Sequence, residues 1–226
     1  MREDIQRTKA EFSDFLMRSG AIKFGTFKLK SGRISPYFVN IGLIGDGLSA
    51  SKLGEFYARA IVGYGLFEET DVLFGPSYKG IPIVVSTAVA LSNLFGYSKR
   101  FAFNRKEVKD HGEGGVIIGG GIKDGDRVGL LDDVMTTGKT KEEVLSVILS
   151  SAKAKISYVL IAVDRLERGE TDLMATLEFE KRYGVPVKSI VTIEEVAERA
   201  LEGGLIMKTE VDAIRAYLNT YGGKRD

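Results

Sequence analysis

The sequence predicts an α/β protein with a twisted, mainly parallel sheet flanked by helices. Three observations predict it. Short apolar runs at 71–75, 100–104, 127–133, 155–164 and 185–193 read as strands buried on both faces. Helical periodicity at 81–95, 138–152 and 172–183 separates most of them, giving β-α-β-β-α-β-α-β. The chain has 226 residues, which suits one α/β domain with attachments at roughly 150 residues per domain.

Each element has its own signal. Residues 4–19 carry Ile5, Phe12, Phe15 and Leu16 at helical spacing and stop at Gly20. Residues 20–47 lack that period and end in glycine-rich turns. A second helix at 48–64 presents Leu53, Phe56, Tyr57 and Ile61. The strand DVLFG closes at Gly75-Pro76, and the helix at 81–95 has proline in its first turn. Helices near 194–202 and 209–220 finish the chain. Glycine is over-used, at 27 residues, and seven of the fourteen residues at 112–125 are glycine.

Composition excludes several functions. There is no cysteine, which removes a disulfide framework, thiol catalysis and thiolate zinc sites. His111 is the sole histidine, so multi-histidine metal sites are out. The net charge of +1 gives no support to a general nucleic-acid or membrane-surface binder. No apolar run reaches the length of a membrane span, and MREDIQRTKAEF lacks the apolar core of a secretion signal, so a cytoplasmic location is expected.

The segment VGLLDDVMTTGKT, residues 128–140, carries the most chemistry. A buried strand ends in two acids, a Thr/Gly loop follows, and a helix begins. Ligands of open parallel sheets bind at the carboxyl ends of strands. The loop offers backbone N–H groups, hydroxyls and the positive helix end to a phosphate. Asp132 and Asp133 suit ribose hydroxyls, or water on a ligand-borne Mg²⁺, so a sugar phosphate fits the set. Gly-Lys-Thr at 138–140 is not a Walker loop, because Asp133 stands where that loop needs glycine. Helix capping by the acids is the bland alternative.

This segment resembles the 5-phosphoribosyl-1-pyrophosphate (PRPP) motif of the type I phosphoribosyltransferase family. FKLKSGRISPYFVN (27–40), FGPSYKGIP (74–82), FNRKEVKDHGEGG (103–115) and VDRLERG (163–169) narrow the resemblance to its orotate phosphoribosyltransferase branch. The likeness covers nearly the whole chain. It implies the type I phosphoribosyltransferase fold as a single domain, with a hood from about 1–45 and 194–226, a core at about 68–193 and a mobile lid at about 104–121.

The resemblance also implies roles. PRPP would meet Lys30, Tyr78, Lys79, Arg105, Lys106, Lys109, His111, Asp132, Asp133, Val134, Met135, Thr136, Thr137, Gly138, Lys139 and Thr140. Orotate would meet Lys30, Phe38, Val39, Thr136 and Arg165. Lys109 and His111 would assist pyrophosphate departure, with Asp132 and Asp133 completing the catalytic set. Mg²⁺ would be held mainly by PRPP near those acids, and the lid would reach across a homodimer interface. Physical chemistry agrees at several points. Three cations crowded at Arg105, Lys106 and Lys109 suit a leaving anion, and a guanidinium at Arg165 suits a carboxylate. Asp164 would orient that arginine. Ser77, Val39, Leu166 and Lys139 depart from residues common in relatives.

The expected reaction joins orotate to PRPP, giving orotidine 5′-monophosphate and pyrophosphate in de novo UMP synthesis. A phosphoribosyltransferase for another base, and a non-catalytic PRPP-sensing regulator that binds nucleic acid, stand as alternatives. A fused decarboxylase barrel of about 250 residues does not fit the length.

Overall fold

The computed structural model describes residues 4–29, 32–106, 116–135 and 139–225. Helix α1 (Ile5–Arg18) is followed by strands β1 (Ile22–Lys28) and β2 (Ile34–Val39) and by helix α2 (Gly47–Gly63). The central unit runs β3 (Val72–Gly75), α3 (Gly80–Phe95), β4 (Arg100–Asn104), β5 (Ile117–Gly119), β6 (Arg127–Val134), α4 (Lys139–Ser151) and β7 (Lys155–Asp164). Helix α5 (Ala175–Tyr183), β8 (Val187–Thr192), α6 (Ile193–Glu202) and α7 (Lys208–Tyr221) complete it.

Six strands form one sheet in the order β5-β4-β3-β6-β7-β8. Neighbours pair in parallel except β5, which runs antiparallel to β4 at the edge. The expected mainly parallel sheet is therefore present, and its strand ends point the same way. All four residues of β3 are buried, as are residues 156–163 of β7. That two-sided burial is why these strands lack alternation.

Three strands were not expected. Residues 22–28 and 34–39 form an antiparallel hairpin, with a register irregularity between Phe24 and Phe27. Gly25, at φ 144°, sits inside that irregularity. Strand β5 lies within the span expected as lid, because Ile117 and Ile118 pair with Asn104 and Phe103.

Apolar packing divides into three clusters. One lies where α1, α2 and α3 cover one face of the sheet, through residues such as Phe12, Tyr57, Ile83 and Leu91. A second holds α4 and α5 on the other face, through Val144, Ile148 and Phe179. The third joins β2 to α6 and α7 through Tyr37, Leu166, Ile193, Ile214 and Tyr217. The hairpin and the C-terminal helices thus share a small core above the end of β7. Among the described residues, no helix is long and apolar enough to cross a membrane.

Candidate active site

Four adjacent parallel strands, β4, β3, β6 and β7, deliver the residues the sequence singled out. Their carboxyl ends carry Asn104 to Lys106, Ser77 to Lys79, Asp132 to Met135, and Arg165.

The turn after β3 is built on glycine. A Cβ on Gly75 would lie 2.1 Å from the Gly80 carbonyl oxygen, so the strand end and the start of α3 touch through backbone alone. Between them project Ser77, Tyr78 and Lys79, with a cis peptide joining Ser77 to Tyr78. Ser77 N–H donates to the Asn104 side chain at 3.1 Å, which stitches this turn to the end of β4. Tyr78 is exposed, and the Lys106 ammonium stands 4.7 Å from its ring centroid. Lys79 Nζ donates to Asp133 Oδ2 at 2.7 Å. A Cβ on Gly42 would lie 3.7 Å from Lys79 Cε, so the turn after β2 adjoins the same lysine.

Asp132 and Asp133 are both buried at the end of β6. Asp132 is engaged on every side. Its carbonyl accepts from the buried Tyr57 hydroxyl at 2.6 Å, and its Oδ1 accepts from Asp133 N–H at 2.9 Å. Its Oδ2 pairs with the Lys141 ammonium. Burial pushes the Asp132 carboxyl up, the Lys141 charge opposes that, and neighbouring Asp133 adds to the rise. Asp133 Oδ1 accepts from Val134 N–H at 2.8 Å. Met135 is buried and Val134 half-buried. Lys139 opens α4, together with Thr140. Thr136, Thr137 and Gly138 lie outside the described residues, as do Lys30, Lys109 and His111.

Arg105 N–H donates to the Val116 carbonyl at 2.7 Å, extending the pairing of β4 with β5 at the sheet edge. The Arg105 Nε is buried with no hydrogen-bond partner among the described residues. A cavity of about 450 Å³ opens there, with Ser77, Arg105 and Lys106 on one side and Glu143 and Val147 of α4 on the other.

Arg165 follows β7 in a tight turn. Asp164 accepts Leu166 N–H at 2.8 Å, and Leu166 takes φ 57° with its side chain buried in the third apolar cluster. That turn sends the Arg165 guanidinium under the hairpin, where Nη2 meets Glu167 Oε1 at 2.5 Å and the guanidinium carbon lies 5.6 Å from the Tyr37 ring centroid. Glu167 also accepts from Tyr37 at 2.8 Å and Tyr217 at 3.2 Å. Burial works most strongly against the Arg165 charge, but the Glu167 carboxylate and the Tyr37 contacts together outweigh it and raise the guanidinium. The orienting acid is therefore Glu167, not Asp164, whose carboxylate serves Leu166 N–H and the Thr176 hydroxyl. Phe38 is exposed beside Phe27, with ring centroids 5.6 Å apart, while Val39 is half-buried against the main core.

Tyr57, Lys141 and Glu167 were missed as site residues. Tyr57 read as helix core, which it is, and nothing local announces its hydroxyl bond. Lys141 and Glu167 stand within segments the sequence reading singled out or adjoined, but their partners become visible only in the fold.

A mainly parallel sheet with an acid pair, a strand-to-helix loop and basic turns along one carboxyl edge defines the phosphoribosyl transferase class. The phosphoribosyl transferase domain family matches residues 44–197. The chain is 44% identical over 218 residues to orotate phosphoribosyltransferase of Pseudomonas paraeruginosa, covering 96% of this chain and 100% of that one. It is 46% identical to the Nitrosococcus oceani enzyme of the same name, covering 95% and 96%. The crystal structure of orotate phosphoribosyltransferase from Francisella tularensis matches with TM-score 0.81 and 34% identity, over 94% of this chain and all of that one. The chain belongs to the orotate phosphoribosyltransferase family, enzymes of pyrimidine synthesis within the type I phosphoribosyltransferases.

Proposed function

We propose that this chain transfers the 5-phosphoribosyl group of PRPP to the ring nitrogen of orotate. The bond from the anomeric carbon to pyrophosphate breaks and a carbon–nitrogen bond forms, giving orotidine 5′-monophosphate. The observation that carries this reading is the convergence of Lys79, Arg105, Lys106, Asp132 and Asp133 on one sheet edge, with Arg165 beside it.

In this reading the segment 136–140 receives the 5-phosphate, and Thr136 also meets orotate. Asp132 and Asp133 face the ribose, and Tyr78, Lys79, Arg105 and Lys106 face pyrophosphate. Lys109 and His111 stabilise the charge that grows on the departing group. Lys30, Phe38, Val39 and Arg165 hold orotate. Residues 1–45 and 194–226 serve as the hood, and 104–121 as the lid.

The donor set fits a cation carried by PRPP. Both acids already have ammonium partners, and no cluster of three or more potential metal-ligating side chains exists among the described residues. Mg²⁺ bound with PRPP would neutralise pyrophosphate charge, with Asp133 and Asp132 the nearest carboxylates.

A homodimer in the cytoplasm completes the reading. The dimer is supported by exposed Val89 and Leu94, which line a groove between α2 and α3. Pyrophosphate release that requires orotate and PRPP together tests the function. Release with PRPP alone at the same rate would refute it.

A further inference from the structure

Lys141 is the least expected group at this site. Its side chain is 7% exposed and that of Asp132 is 8%, so this ion pair is sealed from water. Sealing such a pair costs desolvation that its attraction barely returns, and apolar residues of similar volume at both positions would serve stability as well, whereas removing the lysine alone strands a buried carboxylate. The Lys141 ammonium also donates to the Val134 carbonyl at 2.6 Å. It therefore binds two positions at the end of β6 from the first turn of α4. Together with Asp133 N–H it engages both Asp132 carboxylate oxygens, while Tyr57 holds the Asp132 carbonyl. Asp133 differs. Its partner Lys79 is 50% exposed and can exchange one anion for another.

We propose that Lys141 is a positioning residue for PRPP: it clamps the Asp132 carboxylate and the Val134 carbonyl together, fixing the strand end from which the acid pair meets the ligand. The inference rests on the reading of this site as a phosphoribosyltransferase site.

The test compares Lys141→Met, Lys141→Arg, Asp132→Asn and the double variant Asp132→Asn/Lys141→Met with the unmodified chain. Readouts are the KM values for PRPP and orotate, kcat, and calorimetric binding of PRPP with Mg²⁺ in the absence of orotate. Each single neutral variant should raise the PRPP KM about tenfold while the orotate KM holds, and the double variant should be no worse than either. Lys141→Arg should recover most of the loss. An unchanged PRPP KM in Lys141→Met overturns the proposal. So does a double variant whose loss is the product of the two single losses, because Asp132 would then act on the ligand independently of Lys141. If Lys141→Met does not fold, the double variant against Asp132→Asn decides: equal PRPP KM supports the clamp, and a further tenfold rise overturns it. Calorimetry separates the two readings, because an unmodified chain that binds PRPP but never consumes orotate refutes the base assignment and not the clamp.

Discussion

The Lys79 ammonium lies 2.7 Å from the Asp133 carboxylate, joining the turn after β3 to the end of β6. The pair is unequal: the acid side chain is 9% exposed and the lysine 50%. A fixed carboxylate with a half-free ammonium describes a cation held ready for an incoming anion. Removing it should cost ligand affinity and transition-state stabilisation more than fold stability.

Lys79→Ala is accordingly expected to lower kcat/KM for PRPP roughly 10- to 100-fold, with the orotate KM nearly constant. Steady-state kinetics with each substrate varied in turn check this. Unchanged PRPP kinetics would remove Lys79 from the site.

Arg165 supports a second prediction. Its guanidinium is tied to Glu167, and Glu167 to Tyr37 and Tyr217, so the proposed orotate contact is coupled to the hairpin and to α7. Arg165→Ala should weaken orotate by roughly 2–5 kcal/mol, the usual loss when a charged partner disappears from a buried pair. Glu167→Gln should raise the orotate KM less, since it keeps the hydroxyl contacts but loosens the guanidinium. Orotate kinetics equal to the unmodified chain in both variants would place this cluster in the fold alone.

Legibility in the sequence followed locality. The acid pair and its loop were readable because strand, acids, Thr/Gly loop and helix are consecutive from 128 to 140. The β1–β2 hairpin was not, since Gly25 and the irregularity at Phe24–Phe27 break the alternation that marks a strand. Strand β5 hid among glycines and has only three residues. Asp164 was assigned to orient Arg165 because it is adjacent, yet consecutive residues at a strand end point to opposite faces. The true partner, Glu167, is fixed by Tyr37, which is 130 residues away in sequence. Lys141 went unread because a lysine in a first helical turn looks like solvent-facing charge until Asp132 is placed beneath it.

A third prediction concerns Lys109 and His111 of the proposed lid, which lie outside the described residues. Lys109→Ala should cut kcat far more than it changes PRPP affinity, because its partner charge develops in the transition state. If each lid serves the partner subunit, mixing Lys109→Ala with an inactive Asp133→Asn chain should restore part of the activity. A mixture that stays inactive, with subunit exchange demonstrated by labelled chains, would show that each site uses its own lid.

A fourth concerns stability at the opposite sheet edge. Asp71 Oδ1 and Oδ2 accept from Arg127 Nη2 and Nε, both at 2.9 Å, joining the starts of β3 and β6. The Arg127 side-chain hydrogen bonds, aided by its backbone N–H, hold the Asp71 carboxyl well below the usual range. A depressed folded-state value means the contribution is complete above the ordinary aspartate value, about 3.9, and is lost as pH falls below it. Asp71→Asn should therefore lower the thermal midpoint at neutral pH, and the gap should close in acid. A gap that stays constant from pH 7 down to pH 3 would rule out this pair as its source.

The central claim is that this edge of the sheet joins orotate, and not another base, to PRPP. Incubating the chain with PRPP and Mg²⁺ plus orotate, uracil, adenine or hypoxanthine, with products identified by mass, tests it most directly. The account predicts orotidine 5′-monophosphate as the main product and no purine nucleotide. Faster conversion of uracil or hypoxanthine than of orotate would contradict it.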